Sequence, residues 1–259
     1  MKRIPIFFKV KNKKNNSVTA KSEKKEDFKS FLKTLILALI CAGFVRSFFY
    51  EPFHIPSSSM KPNLLIGDYI FVSKYSYGYS KYSFPFSFNL FEGRIGKKDR
   101  PKRGDVFVFR LPSNPSINYI KRVIGLPGDE VQVINGQIFI NSEKIEKNYY
   151  GNFVENTTEI AEFEETFTDG KKIIVLDQFP NIPQDNTGIY KVPEGSYFAM
   201  GDNRDNSEDS RFLTKVGFIP EENLVGKATI IFFSIDGDAW KIWNWPKNLR
   251  INRIFKKIE

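Results

Sequence analysis

Residues 55–62 read IPSSSMKP: three adjacent serines with a lysine two places further on. A serine hydroxyl attacks well only when a base takes its proton, and an unprotonated lysine can be that base. Lys61 is the near partner, because Ser58-Ser59-Met60-Lys61 has the S-x-x-K spacing that joins a serine and a lysine one turn apart on a helix. Pro62 argues against that helix, since proline disfavours the helical region for the residue before it. The S-D-N and K-T-G stretches that accompany S-x-x-K are also absent from the chain. A second lysine lies in INYIKRVIGLPGD, residues 117–129. In an extended strand Tyr119, Lys121 and Val123 share one face, and Ile120, Arg122 and Ile124 share the other. Both faces are mainly apolar. Arg122 cannot give up its proton, whereas burial disfavours an ammonium and can make Lys121 a base. The other reading is a pair of strand residues whose basic tips reach solvent. If residues 57–59 are extended, Ser57 and Ser59 point one way and Ser58 the other. One serine could then attack while another donates a hydrogen bond nearby.

GDNRDNSEDSR, residues 201–211, sets Asp202, Asp205, Glu208 and Asp209 against Arg204 and Arg211. A calcium loop needs Gly at its sixth position and Glu at its twelfth. Counting from Asp205 those places hold Ser210 and Val216, and from Asp202 they hold Ser207 and Leu213. The stretch reads instead as charge-assisted hydrogen bonds bracing neighbouring strands. His54 is the only histidine and Cys41 the only cysteine. A Ser-His-Asp or Cys-His site would have to use His54, which lies at the edge of an apolar segment, and no zinc site or cofactor is expected.

These groups need a scaffold and a compartment. Residues 31–50 read FLKTLILALICAGFVRSFFY, with an unbroken apolar run from Leu35 to Val45. With its aromatic flanks the segment reaches the roughly 20 residues that span a bilayer. No polar face marks it as a core helix. The bulky Arg-Ser-Phe-Phe-Tyr that follows offers no small-x-small cleavage site, so it reads as an uncleaved anchor. Residues 1–29 hold ten Lys/Arg against three acids, a surplus of seven out of the chain's +9. Basic residues before a span keep that end in the cytoplasm, so residues from about 50 onward are expected on the exported side. The tail is then a topology signal that favours anionic lipid, not a nucleic-acid arm.

After the anchor, short β-type runs dominate: 69–73, 105–110, 117–124, 171–176, 196–200 and 228–234. VQVINGQIFI, residues 131–140, places Asn-Gly between two alternating strands, the signature of a type I′ hairpin. The expected fold is mainly β: an N-terminal transmembrane helix, then an antiparallel β-sheet body with an inserted subdomain. Residues 141–187, polar and weakly patterned, read as that insert or as a flexible excursion. Phe84–Phe91 and the Trp-rich C-terminus, with Trp240, Trp243 and Trp245, suit either a membrane surface or packing on the body.

Together IPSSSMKPNLLIGDYI (55–70), RGDVFVF (103–109), YIKRVIGLPGD (119–129), GDNRDNSEDSR (201–211) and NLVGKA (223–228) resemble the type I (leader) signal peptidases of bacteria. The resemblance implies a membrane-anchored serine endopeptidase that removes signal peptides from exported preproteins at the bacterial inner membrane. It implies Ser59 as nucleophile, Lys121 as general base, and Ser57 with the Ser59 N–H as oxyanion donors. Ser207 would orient the Lys121 amine, and Asp209 and Arg211 would form a salt bridge under the site. Phe53, Ile55, Met60, Leu64, Ile70, Tyr119 and Ile120 match positions lining pockets for the small −1 and −3 residues of a signal peptide. The implied division is a basic tail (1–29), an anchor (30–50), a catalytic β domain (51–140 with 188–259) and a non-catalytic insert (141–187). The implied partners are signal peptides and the lipid bilayer, without nucleic acid. Ser58 stands where the family more usually has Gly, and Asn63 where it has Thr. Two other classes compete. A self-cleaving Ser-Lys repressor needs a cytosolic DNA-binding module, which the apolar segment opposes; a membrane scaffold that binds without cutting would not need the full serine and lysine set.

Overall fold

The computed structural model describes residues 15–84, 93–96, 99–155 and 157–258. The basic residues before Asn15, and all of the Phe84–Phe91 cluster except Phe84, lie outside them. The chain divides into two units, Met1–Phe44 and Val45–Glu259. Helix α1 runs Asn15–Phe48. No proline interrupts it, and Ala, Leu and Ile fill its second half, all compatible with a helix. Phe28–Phe48 has a mean hydropathy of 1.8 and is long and apolar enough to cross a membrane. The Thr34 hydroxyl donates back to the Ser30 carbonyl at 3.0 Å, so this polar atom in the apolar stretch is satisfied within the helix.

The strands are β1 (Tyr50–His54), β2 (Asp68–Ser73), β3 (Val106–Leu111), β4 (Asn114–Gly125), β5 (Glu130–Ile134), β6 (Gln137–Ile140), β7 (Glu143–Lys144), β8 (Glu146–Glu155), β9 (Thr158–Thr166), β10 (Lys172–Leu176), β11 (Tyr190–Lys191), β12 (Ser196–Met200), β13 (Ile219–Pro220) and β14 (Leu224–Ser234). Seven of them form one antiparallel sheet in the order β1-β2-β14-β3-β4-β12-β13. A four-stranded sheet, β11-β5-β6-β7, and a three-stranded sheet, β10-β9-β8, complete the body. The mainly β fold expected from the alternating runs is the one observed. Asn135 and Gly136, both at positive φ, close the β5–β6 hairpin.

The seven-stranded sheet is buried on both faces at its centre. Val106 and Val108 of β3 pack with Ile70, Val72 and Ile231 on one side. Phe107 and Phe109 pack with Val123, Tyr197 and Leu224 on the other. Burying such side chains contributes about 1.5–3 kcal/mol each, which makes β3 and β4 a rigid support. The 141–187 stretch carries β7 to β10, and its Ile145, Phe167, Ile173 and Val175 share a core with Val131, Ile138 and Phe198. Its pattern is weak in the sequence because β8 is an edge strand with mostly exposed residues.

Arg122 locks β4 to the 201–211 loop. It is 1% exposed, and its Nε and Nη2 donate to Asp202 at 2.7 and 2.8 Å while Nη1 donates to the Gly104 carbonyl at 2.7 Å. Removing one partner of a buried ion pair is far more disruptive than its surface equivalent. Asp202→Ala is therefore expected to lower stability by about 3–5 kcal/mol, read as a lower urea midpoint for the full chain in detergent micelles.

Candidate active site

Residues 57–63 form successive turns, neither helix nor strand, so the S-x-x-K pairing does not form. Lys61 is buried, and its amine forms an ion pair with Glu155 at the end of β8. Ser57 and Ser59 nevertheless share a side, with their hydroxyls 3.4 Å apart. The Ser58 hydroxyl points elsewhere and accepts from Asn206 Nδ2 at 2.8 Å. Ser58 is not among the non-glycine residues at positive φ, so it brings no left-handed strain in place of glycine. Asn63 uses its amide: Nδ2 donates to the Ile174 carbonyl at 2.7 Å and to Asp202 at 2.8 Å.

Strand β4 delivers Lys121 to this loop. Its Nζ donates to Ser59 Oγ at 2.8 Å and to the Ile120 carbonyl at 3.1 Å, and the side chain is 4% exposed. The amine also lies 5.3 Å from the Tyr119 ring centre. Burial lowers the Lys121 pKa to about 8; Asp209, Asp202 and Glu208 oppose that shift and Arg211 adds to it. The register follows the alternation in the sequence, with Phe107 opposite Lys121 and Val106 opposite Arg122.

The 201–211 loop holds the serine turn through its asparagines. Asn203 N donates to the Ser59 carbonyl at 3.0 Å, and Asn203 Nδ2 to the Ser58 carbonyl at 3.3 Å. Gly201 sits where the loop passes closest; an added Cβ would collide with Ser207 and with the Ser59 carbonyl oxygen. Asp209 and Arg211 pair through two contacts of 2.9 Å. Burial pushes the Asp209 carboxyl up, but Arg211 and the Gly201 N–H outweigh it and hold the pKa below the ordinary value. Ser207 is brought near the serine turn and beside Asp209, whose carboxyl its hydroxyl helps to hold down, while the Lys121 amine bonds to Ser59 and Ile120.

A cleft of about 360 Å³ opens on the pair, lined by Pro56, Ser57–Ser59, Ile117–Lys121, Asn206 and Glu208. Tyr119 and Ile120 line it as expected. Phe53, Ile55, Met60, Leu64 and Ile70 do not; they belong to the apolar cluster that includes Ile120, where Met60, Leu64 and Ile70 have no exposed surface. Along the cleft β4 has an open edge, since β12 pairs with it only from Arg122 to Gly125 among the described residues. His54 lies apart, exposed, with its ring 4.8 Å from that of Tyr69.

Several participants escape a reading of the sequence. Glu165 of β9 grips Arg204 with contacts of 2.5 and 2.6 Å, and the Leu176 backbone bonds to Asp202 and Arg204. The 141–187 stretch thus holds both loops of the site. Glu155 and Glu165 carry no motif, and Asn203 and Asn206, though inside GDNRDNSEDSR, give no sign of their partners, because those partners are distant in sequence. Asp177, Asp185 and Asp205 bring carboxylate oxygens within 4.8 Å of one another, and Lys147 supplies a positive charge there by donating to Asp177.

Comparison with known proteins gives this geometry its context. Residues 28–233 match the family described as "Signal peptidase, peptidase S26". A Signal peptidase I from Rickettsia typhi (strain ATCC VR-144 / Wilmington) is 41% identical over 265 residues, covering 95% of this chain and 97% of that protein. One from Rickettsia prowazekii (strain Madrid E) is 40% identical over 263 residues, 94% and 97% of the two chains. A solved signal peptidase I from Enterococcus faecalis V583 is 27% identical, covers 50% of this chain and 97% of that one, and aligns with a TM-score of 0.32. The extent of the family match and the near full-length identity to the rickettsial enzymes place this chain in the signal peptidase I family, as a signal peptidase.

Proposed function

We propose that the enzyme cleaves signal peptides with a Ser59–Lys121 dyad. The observation that carries this reading is the 2.8 Å contact between Lys121 Nζ and Ser59 Oγ, made by a lysine 4% exposed. Unprotonated Lys121 takes the Ser59 proton as Oγ attacks the carbonyl carbon of the −1 residue. The tetrahedral oxyanion is met by the Ser57 hydroxyl and the Ser59 N–H, and each such donor can be worth about 3 kcal/mol. The Lys121 ammonium then protonates the departing amine, leaving the signal peptide esterified to Ser59. Lys121 next removes a proton from water, which attacks the ester and frees the carboxylate and Ser59. Ser207, buried beside the serine turn and Asp209, steadies the amine once Ser59 has moved into the acyl bond. The substrate adds as an extended strand to the open edge of β4.

The α1 segment anchors the enzyme in the cytoplasmic membrane with the basic tail inside and residues from about 50 outside, where signal peptides emerge. In spheroplasts, added protease is expected to digest the body and spare an epitope fused to the N-terminus; the converse pattern would invert the topology.

Ser59→Ala and Lys121→Met are each expected to abolish cleavage of an Ala-x-Ala preprotein in detergent, while Lys61→Ala keeps most of it. Loss of cleavage in Lys61→Ala with Lys121→Met active would sink the dyad. Ser57→Ala is expected to lower kcat by about 10²–10³-fold with the fold intact. The base works only when unprotonated, so activity must rise with pH through the Lys121 pKa of about 8. A kcat/KM profile with its acid limb centred near that value supports the assignment, and a limb near the ordinary lysine value of 10.5 refutes it.

A further inference from the structure

The cleft carries one carboxylate that the cleavage chemistry does not use. Glu208 lines it alongside Ser59, Tyr119 and Lys121. Its Oε1 accepts from the Tyr119 hydroxyl at 3.2 Å, and its Oε2 from Lys215 Nζ at 2.5 Å. Lys215 does not line the cleft, and its side chain is 57% exposed, so water and salt screen that pair. A carboxylate accepts about four hydrogen bonds through its two oxygens, so the two observed leave room for a further donor. Lys215, followed by the Tyr119 hydroxyl, holds the carboxyl below its ordinary range, which keeps it anionic in neutral solution. The remaining lining residues are serines, Pro56, two isoleucines, Tyr119, two asparagines and the dyad lysine. Beyond Lys121, Glu208 is the only ionisable acid or base among them apart from the Tyr119 phenol.

We infer that Glu208 is a specificity-determining residue: it favours a cationic side chain, and disfavours an acidic one, on the substrate segment that lies over Tyr119. The inference rests on the Ser59–Lys121 reading, because it assumes that the scissile bond occupies this cleft. Tyr119 fixes the carboxylate from one side, so an incoming Lys or Arg meets a pre-oriented acceptor. An incoming Asp or Glu meets a like charge, which cannot be relieved by protonation at neutral pH. The effect is one of charge and so must fade with salt.

The test uses the full chain in detergent micelles and peptide substrates sharing an Ala-x-Ala core. Lys, Gln or Glu is placed in turn at each neighbouring position from −5 to +2. The wild type is expected to prefer Lys to Glu by about fivefold in kcat/KM at one position or more, a preference that shrinks in high salt. Glu208→Gln is expected to bring that ratio close to one, and Glu208→Lys to invert it. A change in the basicity of Lys121 would alter all substrates alike and leave the ratio untouched, so the ratio isolates selectivity from chemistry. A Lys-to-Glu ratio identical in wild type and Glu208→Gln at every position overturns the inference. Ser59→Ala, run in parallel, separates the two failures: if it still cleaves, the dyad reading falls, and if it is inert while the ratio does not move, only the role of Glu208 falls.

Discussion

The site depends on a lysine amine kept out of water without a carboxylate in contact with it. Lys121 is buried where charge is penalised, and its direct partners are a hydroxyl and a carbonyl. Asp202 and Asp209 nonetheless lie close enough to pull its pKa upward. Each is already gripped by an arginine, Asp202 by Arg122 and Asp209 by Arg211. Those arginines let the acids be buried at all, and Arg211 also opposes the field that would turn Lys121 into an ammonium, although burial of the amine is the largest cause of its lowered pKa. The two Arg–Asp pairs are thus more than braces between loop and sheet. They set the electrostatic floor on which an unprotonated lysine can exist.

Ser59, the proposed nucleophile, has the opposite problem. Residues 57–63 lack a regular backbone ladder, so isolated backbone bonds and side chains together must fix their position. Asn203 and Asn206 hold the Ser58 and Ser59 backbone and hydroxyl from the 201–211 loop. Glu155 and the Ile174 carbonyl hold Lys61 and Asn63 from the β8–β10 sheet. Glu165 fixes Arg204 and so returns the 201–211 loop to the same sheet. The 141–187 stretch, which puts no residue in the cleft, is in this way built into the support of both loops around Ser59. It grips its neighbours through charge at Glu155 and Glu165 as well as through the apolar core of Ile145, Phe167, Ile173 and Val175.

The sequence made the sheet legible because alternation and turn signals are short-range patterns, whereas the pairing of Ser59 with Lys121 came from the resemblance to a family. Alternation along 117–124 placed Lys121 and Arg122 on opposite faces, and Asn135-Gly136 fixed a hairpin. Pro62 was enough to deny Lys61 its helix. The rest was hidden because it is non-local. Lys121 meets Ser59 across 62 positions, Lys61 meets Glu155 across 94, and Asn63 meets Asp202 across 139. No local pattern encodes such pairs. The apolar positions around Met60 and Leu64 were assigned to pockets by resemblance, yet they are packed into the core, with Ile120 the residue that belongs to both core and cleft.

Comparing two lysines shows why the proposed base is Lys121. Lys61 and Lys121 are almost equally buried, at 6% and 4% exposure. Lys61 lies two residues from Ser59 and Lys121 lies 62 away, so proximity in sequence favours Lys61. What separates them is the first atom each amine meets. Lys61 meets the carboxylate of Glu155, and an ammonium committed to an ion pair has no lone pair to offer. Lys121 meets the hydroxyl of Ser59, to which its amine donates at 2.8 Å, and a neutral hydroxyl does not hold the lysine as an ammonium the way a carboxylate does. Burial alone therefore does not make a lysine a base. Burial against a hydroxyl is what the proposed role of Lys121 requires, with the nearby acids already paired, Asp202 by Arg122 of β4 and Asp209 by Arg211.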